Sequence, residues 1–136
     1  MDFSSIIKKQ RVFFNTGKTK DVNFRIDMLK RLKSSIKSHE QEIFEALKSD
    51  LNKSPFESMA TEVGIVYEEI NYLIKNVRRF SRTKKVSTPI YNWPSRSYIY
   101  QDPYGVVLII GPFNYPFQLN IAPLAGAIAA GNCAVI

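Results

Sequence analysis

The chain has 136 residues, 19 of them Lys or Arg and 12 Asp or Glu, giving a formal net charge of +7, with 45% hydrophobic and 12% aromatic residues. That apolar content excludes an intrinsically disordered tail, and the length allows one ordinary domain at most. A single Cys and a single His exclude a disulfide framework, a Cys-based zinc site and a His metal cluster.

Met1-Asp2-Phe3 carries an acid and Lys8-Lys9 follows only a two-residue apolar pair, Ile6-Ile7, so no secretory signal is legible and the expected address is the cytoplasm. The sequon Asn52-Lys53-Ser54 then carries no glycan. Every charged side chain lies before residue 103. An uncharged stretch over 103–136 must be covered, either by a membrane or by the interior of a domain. A spanning helix needs about 20 nearly continuous apolar residues. Pro112, Asn114, Pro116, Gln118, Asn120, Pro123 and Asn132 interrupt this stretch, which favours a buried interior.

Residues 3–14 place Phe3, Ile6, Ile7, Phe13 and Phe14 at helical spacing, and Asn15-Thr16-Gly17 ends the pattern. Residues 21–37 repeat it with Val22, Ile26, Leu29, Leu32 and Ile36. Ser38 followed by Gln41 predicts a capping box opening a third helix with Ile43, Phe44, Leu47 and Leu51. Ser54-Pro55-Phe56-Glu57 predicts another start, with Pro at the first helical position. That helix runs to about Phe80, with Val63, Val66, Ile70, Leu73 and Val77 along one side.

After Arg82 the grammar becomes extended, punctuated by Thr88-Pro89 and Trp93-Pro94, and residues 97–102 alternate like a strand. Residues 105–110 form a β-branched run, as expected of a strand covered on both faces. A turn-rich loop, a helix over 117–130 containing Pro123, and a second strand from Cys133 follow. Strand, loop, helix, strand with so long a connection predicts a parallel βαβ unit. The unit stops within a strand, so the chain reads as the N-terminal piece of something longer. The expected fold class is α/β: an N-terminal helical region over 1–85, an extended segment over 86–102, and the first βαβ unit of a parallel, Rossmann-like sheet over 103–136.

Loops at the carboxyl ends of parallel strands are where open α/β sheets bind ligands. In this loop Pro112 and Pro116 stiffen the chain on either side of Asn114. The Asn114 amide reads in two ways: as a cap for the following helix, or as a neutral donor to an oxygen that gains charge during a reaction. GxGxxG is absent, so no ordinary dinucleotide phosphate loop exists here. Cys133 has no base or cation in its segment and reads as a core side chain rather than a nucleophile. His39 reads as a surface group. The basic run Lys75, Arg78, Arg79, Arg82, Lys84 and Lys85 reads as cations at a helix C-terminus, since the interleaved aromatics of a nucleic-acid platform are missing.

The run Pro-Tyr-Gly-Val-Val-Leu-Ile-Ile-Gly-Pro-Phe-Asn-Tyr-Pro-Phe from Pro103, with Gly-Ala-Ile-Ala-Ala-Gly-Asn from Gly126, resembles the aldehyde dehydrogenase superfamily, specifically its class 3 and fatty-aldehyde branch. The resemblance covers essentially the whole chain. It implies NAD- or NADP-dependent oxidation of an aldehyde to a carboxylic acid through a Cys thiohemiacetal, in a cytoplasmic homodimer. It also implies that residues 86–102 serve oligomerisation. Asn114 falls on the family's oxyanion donor; Ile110, Gly111, Pro112 and Phe113 on the nicotinamide side of the cofactor cleft; Tyr115 and Gln118 on the aldehyde tunnel. A Tyr of some class 3 members is Ile65 here, so substrate preference does not carry over. The nucleophilic Cys and general-base Glu fall outside these residues, which implies that this piece alone is inactive and that any membrane anchor would belong to a C-terminal tail. The rival reading is a basic helical binding module with a hydrophobic docking or membrane-associated tail.

Overall fold

A computed structural model describes residues 3–136. Helix α1 (Phe3–Asn15) ends at Gly17, whose φ of 76° reverses the chain into a 3-10 turn at Lys18–Lys20. Asp21 then opens α2 (Val22–Ser38), its carboxylate accepting the Asn23 N–H at 2.8 Å. Helix α3 (Glu40–Leu51) ends on Asn52 in the left-handed region, a conformation Asn tolerates at a helix C-terminus.

Ser54 caps the next helix as its sequence predicts, accepting the Glu57 N–H at 3.1 Å with Pro55 in the first turn. The helix is not uniform. It runs as α4 (Pro55–Ser58), a π-helical stretch (Met59–Val63) and α5 (Gly64–Phe80). The Gly64 N–H reaches back to the Met59 carbonyl, and a Cβ at Gly64 would lie 2.6 Å from that oxygen. Glycine there makes the wider turn possible, and wider turns of this kind concentrate at functional positions.

Strands β1 (Lys84–Val86) and β2 (Ser97–Ile99) form an antiparallel pair. Strand β3 (Val106–Leu108), helix α6 (Gln118–Ala130) and strand β4 (Cys133–Val135) form the parallel βαβ unit, with Val106 opposite Cys133 and Leu108 opposite Val135. Gly131, at φ 87°, closes α6, and the Asn132 N–H returns to the Ala127 carbonyl at 2.9 Å.

The two parts share one core. Leu29 and Ile36 of α2, and Val66, Ile70, Leu73 and Val77 of α5, pack with Val63, Ala125 and Ala129. Every residue of the predicted stripe from Val63 to Val77 is therefore buried. Ile70 has no exposed surface, and full burial of such a side chain is worth about 1.5–3 kcal/mol.

Four local expectations differ from the structure, the first being that β2 covers only Ser97–Ile99 of the strand expected over 97–102. The Ser38 hydroxyl bonds back to the Ser35 carbonyl at 2.9 Å, and Gln41 reaches Glu45, so no capping box forms; α2 and α3 meet through the single residue His39, which leaves no room for a separate cap. Lys84 and Lys85 lie in β1, because α5 stops at Phe80. The strand expected over 105–110 is three residues long, Val106–Leu108. Helix α1 lies along β3 and β4 but leaves an apolar groove of about 370 Å³ lined by Phe3, Ile6, Ile7, Val107, Leu108 and Ile136. Among the described residues no helix is long and apolar enough to cross a membrane.

Candidate active-site loop

The seven residues singled out from sequence all sit on one segment, where the chain leaves the carboxyl end of β3 and enters α6. Ile110 and Phe113 are exposed at 84% and 86%, and Pro112 and Asn114 are exposed as well. Tyr115 is 37% exposed, while Gly111 and Gln118 are half-buried. A Cβ at Gly111 would overlap the Asn120 amide, and that amide donates to the Pro116 carbonyl at 2.7 Å. The loop is thus folded back over the first turn of α6, which requires a residue with no side chain at Gly111.

A buried ion pair that sequence inspection missed anchors this loop. Lys53 Nζ lies 2.5 Å from Glu62 Oε1, with side chains only 8% and 0% exposed. Glu62 Oε2 accepts the backbone N–H groups of Phe117 and Gln118 at 2.8 and 3.1 Å. These are free donors of the first turn of α6, so a carboxylate from the helical layer caps α6 and its charge suits the positive end of the helix. Lys53 Nζ also donates to the Asn114 carbonyl at 3.3 Å and lies 4.1 Å from the centre of the Tyr115 ring.

The side chain of Asn114 does not cap α6. The N-terminal residue of α6 has no side-chain cap of its own, and the donors that Asn114 would satisfy go to Glu62 instead. Among the described residues the Asn114 side-chain amide has no hydrogen-bond partner, whereas its backbone carbonyl is held by Lys53. An exposed, unbonded amide on a pinned backbone can donate to a ligand.

Cys133 is buried in β4, and burial pushes its thiol above the ordinary range, which disfavours the thiolate a nucleophile needs. His39 is exposed, its Nδ1 beside the Ser35 carbonyl. No group of three or more metal-ligating side chains occurs among the described residues.

The sequence signature and the βαβ unit find their counterpart in known proteins. The profile of the Aldehyde dehydrogenase family matches residues 1–136, and the chain belongs to that family. The chain is 53% identical over 126 residues, 93% of its length, to the 4,4'-diaponeurosporen-aldehyde dehydrogenase of Staphylococcus aureus. It is 42% identical over 133 residues, 98% of its length, to a dimeric NADP-preferring aldehyde dehydrogenase of Canis lupus familiaris. It spans 28% and 29% of the lengths of those two relatives. A substrate-bound Staphylococcus aureus AldH structure superposes with a TM-score of 0.95 at 49% identity, over 98% of this chain and 29% of that one. A Streptococcus pyogenes succinic semialdehyde dehydrogenase, solved with NADP+, shares the fold at a TM-score of 0.85 and 17% identity, over 98% of this chain and 29% of that one. The α/β class with a helical N-terminal layer is that of the corresponding part of these proteins, and the class 3 branch is the one to which the family 3 relatives point.

Proposed function

We propose that the full-length protein oxidises an aldehyde to a carboxylic acid with NAD or NADP, and that Asn114 is the oxyanion donor. What carries the reading is the Asn114 amide, exposed and without a partner among the described residues, on a loop whose backbone is pinned at the carboxyl end of a parallel strand. The apolar side chains of Ile110, Pro112 and Phe113, with the backbone of Gly111, would form one side of the pocket for a flat nicotinamide ring. The cofactor, when bound, supplies the hydride acceptor. Tyr115 and Gln118 would line the approach of the aldehyde.

In this reading a Cys thiolate from the remaining length of the protein adds to the aldehyde carbon to give a thiohemiacetal. The carbonyl oxygen gains charge, and the Asn114 N–H strengthens its bond to it without moving, so the benefit appears mainly in the transition state. The thiohemiacetal carbon would then give up its hydride to the bound cofactor, leaving a thioester on the Cys. Water activated by a Glu from the same remainder would hydrolyse that thioester, releasing the acid and the thiolate. Residues 1–136 alone, with Cys133 buried, would not turn over. The assembled enzyme would be a cytoplasmic homodimer without nucleic-acid partners. In a domain division following the sequence reading, 1–85 form the helical region, 86–102 the oligomerisation segment and 103–136 the start of the cofactor domain. Any membrane attachment would belong to residues outside this chain.

The test is Asn114→Ala in the full-length protein. Loss of one oxyanion donor typically lowers kcat by about 10²–10³, with cofactor affinity and melting temperature nearly unchanged. Wild-type turnover from the folded variant would remove the assignment.

A further inference from the structure

On the oxyanion reading of Asn114, we propose that Lys53, anchored by Glu62, is a positioning residue that sets the orientation of the Asn114 amide for turnover. The four contacts of the pair converge on one short segment. Glu62 Oε2 holds the N–H groups of Phe117 and Gln118. Glu62 Oε1 holds Lys53 Nζ, and Lys53 Nζ holds the carbonyl of Asn114 itself and faces the Tyr115 ring. The backbone between Asn114 and Gln118 is therefore gripped at both ends by one ion pair.

The pair does not belong to the loop or to α6. Lys53 follows α3, and Glu62 sits on the π-helical stretch, which turns both Glu62 and Val63 fully inward. Val63 is part of the core shared with α2, α5 and α6. The helical layer thus holds the second half of the loop, while the first half continues the β3–β4 ladder through the Ile109 N–H and the Val135 carbonyl. A cap for α6 alone needs only the carboxylate. Placing the ammonium on the Asn114 carbonyl adds a constraint that a cap does not require. Without that donor the Asn114 carbonyl loses its side-chain anchor, and the Asn114 side chain can shift with its backbone. A misplacement of about 1 Å at a reacting centre costs on the order of 10²-fold in rate.

The experiment uses the full-length protein with hexanal and NAD or NADP as probes, measuring kcat, KM and cofactor dissociation constant beside the melting temperature. Lys53→Met keeps the stem and removes the ammonium. It is expected to lower kcat roughly 10–100-fold while the KM for hexanal and the cofactor affinity stay close to wild type. On an Asn114→Ala background the same change is expected to lower kcat no further, because an absent amide cannot be misplaced. Lys53→Met also leaves Glu62 buried without its cation, and such a variant can fail to fold. Lys53→Met with Glu62→Gln removes both charges and keeps an oxygen for the two N–H groups, so it carries the same test. A folded variant of either kind with near wild-type kcat overturns the proposal, as does a loss that multiplies with that of Asn114→Ala. If Asn114→Ala is silent, the oxyanion reading and the positioning role fall together. If Asn114→Ala is costly and the Lys53 variants are silent, the positioning role alone falls.

Discussion

The guanidinium of Arg25 fills the space that a Cβ on Gly131 would need: such an atom would lie 2.8 Å from Cζ and from Nη2. Arg25 is buried, and it closes several chain ends at once. Its Nε donates to the Thr19 carbonyl at 2.7 Å, Nη2 to the Lys20 carbonyl at 3.0 Å, and Nη1 to the Ala129 carbonyl at 3.4 Å. Burial lowers its pKa from the usual arginine value, and these carbonyl acceptors replace part of the lost water. The end of α6 is thereby tied to the start of α2.

Gly131→Ala should therefore destabilise the protein by more than its conformation alone implies. A non-glycine residue in the left-handed region costs about 1–2 kcal/mol, and here the methyl must also displace Arg25. Gly126 provides the contrast, because it lies inside α6 and a Cβ there would have nothing within 4 Å among the described residues. Gly126→Ala should stabilise by about 0.5–1 kcal/mol. Urea midpoints of the two variants in the full-length protein should move in opposite directions.

Glu62→Ala should damage the helical layer far more than the loss of a helix cap. It leaves Lys53 buried without its partner and two N–H groups of α6 without an acceptor. Breaking a buried pair in this way typically costs about 3–5 kcal/mol. Ser54→Ala removes only an exposed helix cap and should cost about 1 kcal/mol. Equal denaturation midpoints for the two variants would show that the ion pair contributes no more than a cap.

Tyr67 should ionise late. Desolvation first, and then the hydrogen bond to and charge of Glu40, push its pKa up to about 12 from 10.0. The folded state favours the protonated phenol, so this contribution is fully present below pH 10. It is lost as pH rises through about 12. Ultraviolet difference titration should find one tyrosine fewer ionising near pH 10 in wild type than in the unfolded chain, and Tyr67→Phe should remove that late step.

Cys133 should resist alkylation in the folded protein. It is buried and its thiol pKa is raised by that burial. Iodoacetamide followed by peptide mass mapping should label it only after denaturant is added. Cys133→Ala should retain turnover in the full-length protein; loss of activity from a variant with unchanged melting behaviour would restore it as a candidate nucleophile.

Much of the architecture is legible in the chain because it follows from local periodicity and punctuation. The stripe from Val63 to Val77, the Ser54-Pro55 start, the Gly131-Asn132 stop and the two short strands around α6 each declare themselves within a few residues. The loop carrying Asn114 declares itself in the same way, through its prolines and its place after a β-branched run. What the chain does not state locally is where its buried charges go. Glu62 and Arg25 continue the apolar stripes of their helices, four residues before Val66 and Leu29. A charge on such a stripe signals a buried partner, but not which one. Lys53 is distant from Asn114 in sequence and reads as one surface lysine among many. Only the packing of α5 against α6 brings Glu62 to the free N–H groups at Phe117 and Gln118. There, with water excluded, an unpaired carboxylate or ammonium would be too costly to keep. Local residue order thus accounts for the elements and for the loop that carries Asn114. What holds that loop in place emerges only when the layers pack, because long-range burial, not local propensity, selects the partners of a buried charge.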